Sequence, residues 1–166
     1  SALVRHFARS HPDVDHRWVS GDENEVDLAF GLAAQLLGTS ADALSASGDV
    51  LAVGARLLEA AGALGRGGPA IVVVDDLGWG DLATLQALAF ALRRFVADPV
   101  LVCMSVRPEH VDRLPSSLRQ LIDQRGLHLR LSGLGEDEVR ELAAVMGHDT
   151  LPTAAIRRVT AHTQGN

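Results

Sequence analysis

The chain of 166 residues contains no lysine, no tyrosine and a single cysteine, Cys103. One thiol excludes an internal disulfide framework and fits a reducing compartment. Cys103 lies mid-run among apolar residues, where a thiol is expected to be buried and inert rather than nucleophilic. No apolar run approaches the roughly 18 residues of a membrane span. The N-terminus lacks the basic-then-apolar order of a secretory signal, so a cytoplasmic location is expected. All fifteen basic residues are arginines, and the formal net charge is −6. Through Asp81 five arginines face twelve acids; from Leu82 onward ten face nine. Neither half carries the basic field that dominates nucleic-acid affinity, so no direct nucleic-acid contact is expected. The seven histidines are scattered and form no zinc-ligand spacing.

What is present is the composition of a folded domain, 47% apolar, with no internal repeat. Apolar spacing predicts helices over 2–10, over 26–38 with Gly38 closing it, and over 50–64. The stretch between the last two reads as a polar, small-residue loop. Residues 70–75 are apolar up to the last, Asp75, and predict a strand buried on both faces, as in a parallel sheet. Residues 99–106 predict a second such strand, and 16–20 a shorter one. Strict alternation over 127–132 predicts a half-exposed strand. Asp81 is placed to cap a helix that presents Leu85, Leu88 and Leu92 on one face. Three acids open a helix over 136–147, and Pro152 opens a last one that Gly165 closes. Strands alternating with helices predict an α/β fold with a doubly wound parallel sheet.

In such sheets ligands sit at the carboxyl ends of the strands. Two chemistry-bearing sequences fall there: Asp75–Asp76 after the first buried strand, and Ser105–Val106–Arg107 after the second. Adjacent acids at a strand end suit a Walker B element. One carboxylate holds Mg²⁺, directly or through water, and the other orients or deprotonates an attacking water. A response-regulator receiver also pairs acids after an apolar strand, but it needs a lysine, and this chain has none. Trp18 and Trp79 read as packing residues, with Trp79 close enough to the acids to shape their surroundings. The acids Asp22, Glu23, Glu25 and Asp27 read as a solvated loop and helix start.

The segment "VVVDDLGWGD" (72–81) resembles the Walker B element of the STAND ATPases, AAA+-related P-loop modules of large LuxR-type transcription regulators. That family usually shows two acids, an apolar residue, then Trp and an acid, here Leu77, Trp79 and Asp81; it commonly has His or Gln at the position of Gly78 and Ala at that of Gly80. "LVCMSVRPE" (101–109) is similar to its sensor 1 strand, "LRLSGLGEDEVRELAA" (129–144) to its passage into the helical lid, and "VTAHTQGN" (159–166) to a later lid segment. "DLAFGLAAQLLG" (27–38) resembles the helix after its second strand, and "SALVRHFAR" (1–9) the helix that follows a Walker A loop.

The resemblance implies a P-loop NTPase core over 1–133 and the start of a lid over 134–166. It implies ATP and Mg²⁺ as cofactors, with Asp75 and Ser1 on the metal, Asp76 catalytic, and Arg107 and Ser105 toward the phosphates. It places the Walker A loop and its strand ahead of Ser1, so these residues alone are expected to be inactive, with 100–106 and 128–132 flanking an unfilled slot. The implied function is an ATP-hydrolysing switch acting on an effector domain of the same polypeptide, with nucleotide-dependent self-association left open. The alternative is a module that binds nucleotide without turnover or serves as a scaffold.

Overall fold

The computed structural model describes residues 1–46, 48–95, 98–148 and 150–166. They divide into two compact units, Ser1–Leu127 and His128–Asn166. The first is an α/β unit around a three-stranded parallel sheet of β1 (Asp15–Ser20), β2 (Ala70–Asp75) and β3 (Val100–Met104), in the order β1-β2-β3. Its helices are α1 (Ala2–Arg9), α2 (Gly31–Leu37), α3 (Ala41–Ser45), α4 (Val50–Gly65), α5 (Leu82–Leu92) and α6 (Ser116–Arg125).

The register explains which residue faces what. Val19 pairs with Val74, and Val74 with Met104; one row along, Trp18 pairs with Val73, and Val73 with Cys103. Because strand side chains alternate, Val19, Val72 and Val74 share one face. They join Leu32, Leu36, Val53, Leu57, Leu85 and Leu88 of α2, α4 and α5 in the main core. The opposite face carries Trp18 and Val73, and the Arg5 guanidinium of α1 lies 4.9 Å from the Trp18 ring centre. Helices thus lie on both faces, and β2, central in the sheet, is buried along its whole length. Helices α4 and α5 approach closely at Gly54, where a Cβ would sit 2.6 Å from the Phe90 ring.

The structure departs from the sequence reading in four places. The helix expected over 26–38 is confined to Gly31–Leu37, because Phe30 takes a left-handed conformation (φ 63°) that no helix continues through. Gly38, also left-handed, closes it. The loop expected before α4 contains α3, whose first turn is capped by the Ser40 hydroxyl on Ala43 N–H. β3 is only partly buried rather than buried on both faces, and Leu101 is 49% exposed. Its one strand neighbour among the described residues is β2, and none of them pairs with its far edge. Cys103 is half-buried for the same reason, and burial still raises its thiol pKa.

The fourth departure is at 127–132, which forms no strand; Leu127, Leu129 and Leu131 are exposed. Alternation alone supplies no ladder, since a strand needs a neighbouring backbone.

In the second unit, α7 (Glu136–Val145) and α8 (Thr153–Thr163) pack through Ala143 and Ile156. Gly135 N–H donates to the Glu138 carboxylate (2.7 Å), and Leu134 N–H donates to the Gly165 carbonyl (2.8 Å), joining the unit's two ends. No described helix is long and apolar enough to cross a membrane.

Candidate functional site

β2 ends in Asp75, whose side chain shares the face of Ile71 and Val73, the face on which α1 lies. The first turn of α1 therefore comes to it. The Ser1 amino nitrogen is 3.9 Å from Asp75 Oδ1, although 74 positions separate the two in the chain. On the neighbouring strand end Ser105 donates its hydroxyl to the same Oδ1 at 2.5 Å. Asp75 is 4% exposed. Burial pushes its carboxyl up, but the nearby Ser1 amino group, the Ser105 hydroxyl and the Asp76 N–H together outweigh it and leave the pKa below its ordinary value. A carboxyl lowered in this way stabilises the folded state above the unfolded range near pH ~3.9. That contribution fades as pH falls through the lower folded value.

Asp76 leaves the strand in the left-handed region (φ 47°, ψ 46°). Asp tolerates this conformation better than most residues, and the surroundings hold it there. Its N–H donates to Ser105 Oγ at 2.9 Å. On either side of it, Gly21 N–H donates to the Asp75 carbonyl (2.9 Å) and Leu77 N–H to the Ser105 carbonyl (2.8 Å). Strained backbone of this kind is found where a site requires a particular side-chain direction. The Asp76 carboxylate meets Arg107, whose Nε is 3.5 Å from Oδ1.

The five residues singled out in the sequence thus form one continuous series of contacts: Ser1, Asp75, Ser105, Asp76, Arg107. Ser105 occupies a different place in it from the one expected. Its single proton goes to Asp75, and its oxygen accepts from Asp76, so it joins the two acids rather than facing outward to a ligand.

Gly21 shows how tightly the first strand end closes on this turn. A Cβ there would lie 2.5 Å from the Asp76 carbonyl oxygen and 3.0 Å from the Trp79 backbone carbon. Both contacts are backbone, which cannot swing aside. Gly21→Ala is therefore expected to cost about 1–3 kcal/mol, the range for overpacking, read as a lower urea midpoint at unchanged slope.

Two groupings are only half visible in the sequence. Asp81 was expected to cap α5, and it does: its carboxylate accepts from Thr84 N–H (2.8 Å) and the Thr84 hydroxyl (2.7 Å). It also accepts from Phe30 N–H (2.8 Å) and Leu32 N–H (3.3 Å) at the start of α2. One buried carboxylate therefore caps two helices, and the left-handed Phe30 is what delivers the second set of donors. The other grouping is Trp79 with His110, ring centres 4.3 Å apart, and with Arg113, whose guanidinium is 4.3 Å from the Trp79 ring centre. Its sequence signal is basic residues at spacing three in "RPEHVDR" (107–113).

Models of known protein families, curated proteins and solved structures contain no match to this chain.

Proposed function

We propose that the chain carries the nucleotide-binding core and the beginning of the lid of a STAND-type P-loop ATPase, an ATP–Mg²⁺ switch within a multidomain signalling or transcription regulator. The observation that carries this reading is the contact series from Ser1 to Arg107 at the carboxyl ends of two parallel strands. The donor set suits Mg²⁺, a hard ion that takes one or two protein oxygens and keeps waters and phosphate oxygens for the rest. Asp75 through its carboxylate and Ser1 through its hydroxyl would hold it, and when bound it supplies charge neutralisation between phosphates.

The chain's own groups divide the remaining work. Asp75 is held at the strand end by the Ser105 hydroxyl. Asp76 projects from the strand end and takes a proton from an attacking water. Arg107, on the adjoining strand end, donates to the phosphate that distinguishes ATP from ADP. In this reading the phosphate-cradling loop precedes Ser1, and its strand lies along the far edge of β3. That edge, unpaired among the described residues, and the half-exposed Leu101 support that placement. The output would pass to an effector domain of the same polypeptide, without direct nucleic-acid contact by these residues.

The test is titration of labelled ATP, with and without Mg²⁺, against the polypeptide that includes the upstream loop. Asp75→Asn should remove the Mg²⁺-dependent part of the affinity; an unchanged titration would overturn the reading. Arg107→Ala should weaken ATP by about 1.5–3 kcal/mol, the scale of a hydrogen bond to a charged group, and leave ADP nearly unaffected. Equal losses for the two nucleotides would place Arg107 elsewhere. One observation favours the second reading, binding without turnover: the Asp76 carboxylate is engaged by the Arg107 guanidinium, whose Nε is 3.5 Å from Oδ1, and so is not left open to an attacking water. Phosphate release by the intact polypeptide separates the two.

A further inference from the structure

We propose that His110 is a positioning residue: seated in the space that Gly78 leaves free, it holds Arg107 against Asp76. The segment Pro108–Arg113 is a 3-10 helix preceded by Arg107, and in that helix residues three apart eclipse one another. His110 and Arg113 therefore stack on one side of it, with Arg107 at its cap, and all three meet the turn that carries Asp76. Arg107 reaches Asp76, and Arg113 lies over Trp79. Between them His110 lies on Gly78: a Cβ at 78 would overlap the His110 Cβ and stand 2.9 Å from its Cγ. The imidazole packs against Trp79 with its ring plane at 66° to the indole.

The contacts close into a ring. Asp76 is joined to Gly78 through the chain, Gly78 to His110 by packing, and the His110 backbone N–H to the Arg107 carbonyl by a 2.9 Å hydrogen bond. Arg107 then returns to Asp76 through the ion pair. That pair cannot position itself. The Arg107 side chain is 60% exposed, and an exposed pair made by a long, flexible side chain contributes little alone. The direction of Arg107 is set instead by the helix that follows it, and the seat of that helix is His110 on Gly78.

The consequence for nucleotide discrimination rests on the ATP reading; the geometric claim does not, and two readouts keep them apart. In the ligand-free protein, the Arg107 Nε–Hε NMR resonance should shift toward that of a solvated arginine in His110→Ala and in Gly78→Ala. It should stay in place in His110→Phe, which keeps a ring on Gly78. In the ATP-binding polypeptide, His110→Ala should lower the ATP-to-ADP affinity ratio by about three- to tenfold, part of the Arg107 effect, and His110→Phe should not. In an Arg107→Ala background His110→Ala should change the ratio no further, since the two act as a unit. An Arg107 resonance unmoved in both His110→Ala and Gly78→Ala overturns the proposal whether or not ATP binds, as does a ratio that falls additively in the double variant. A wild-type protein that does not distinguish ATP from ADP, with the resonance still moving as described, overturns the ATP reading and leaves the positioning role standing.

Discussion

Asp76→Asn is expected to lower ATP turnover by about 10²–10⁴-fold, the usual contribution of a general base, while Mg²⁺-dependent ATP binding stays near wild type. The substitution separates chemistry from architecture unusually well. Asn is, with Asp, among the residues that best tolerate the left-handed conformation at 76. The Ser105 contact is made by the Asp76 backbone N–H, so it survives. The substitution removes the charge that Arg107 meets and the oxygen that would accept a proton. Asp75→Asn should show the opposite pattern. That side chain is buried against Ser1 and Ser105, and its loss should appear first in the Mg²⁺ dependence of binding. Labelled-nucleotide titration and phosphate release, run on both variants, read the two patterns. If either variant behaves as the other is expected to, the roles of the two acids are exchanged; if both match wild type, the strand end is not a Walker B element.

Asp81→Ala is expected to be the most destabilising single change in the first unit, by about 3–5 kcal/mol. Each helix cap lost costs about 0.5–2 kcal/mol, and each buried donor left without an acceptor about 1–3 kcal/mol. The change removes the caps of α2 and α5 together and strands donors on Phe30, Leu32 and Thr84. Water reaching part of the vacated space keeps the total below the simple sum. Against a typical domain stability of about 5–15 kcal/mol, this removes a large share of the margin, and most of it at the lower end of that range. Asp81→Asn should fall between wild type and Ala, because its one carbonyl oxygen still accepts while its amide group faces other donors. Urea unfolding of the three proteins should show the midpoints in that order. An unfolding free energy for Asp81→Ala within about 1 kcal/mol of wild type would mean that one of the two helices is capped by something else.

These two acids also show how unevenly the site could be read before folding. The pair Asp75–Asp76 stands out because an apolar run up to Asp75 can only be an interior strand, and a charge at its end needs a reason. Arg107 stands out by the same logic on the next strand. Ser105 was legible as a polar group near a strand end, but not as the link between two acids. That depends on β2 and β3 being neighbours in parallel register. His110 was one histidine among seven. Its importance comes from the missing side chain at Gly78, thirty-two positions away, and no local pattern pairs the two.

The sequence by itself determined β2, the cap and helix that follow it, the position of β3 and the parallel α/β class. These rest on apolar periodicity and side-chain capping, which act over one or two turns of chain. It overreached where an element depends on a distant partner. Helix α2 is shortened because Phe30 turns aside and, with Leu32, donates to Asp81. The far edge of β3 stays half-exposed because no described strand lies against it. The alternating residues at 127–132 stay out of any ladder because alternation describes a strand's faces and says nothing about its edges. Only the tertiary structure could set the first turn of α1 against Asp75, Ser105 between the acids and His110 on Gly78. Each of these is a contact between segments tens of residues apart, and it exists only once β2 has been buried between its neighbours.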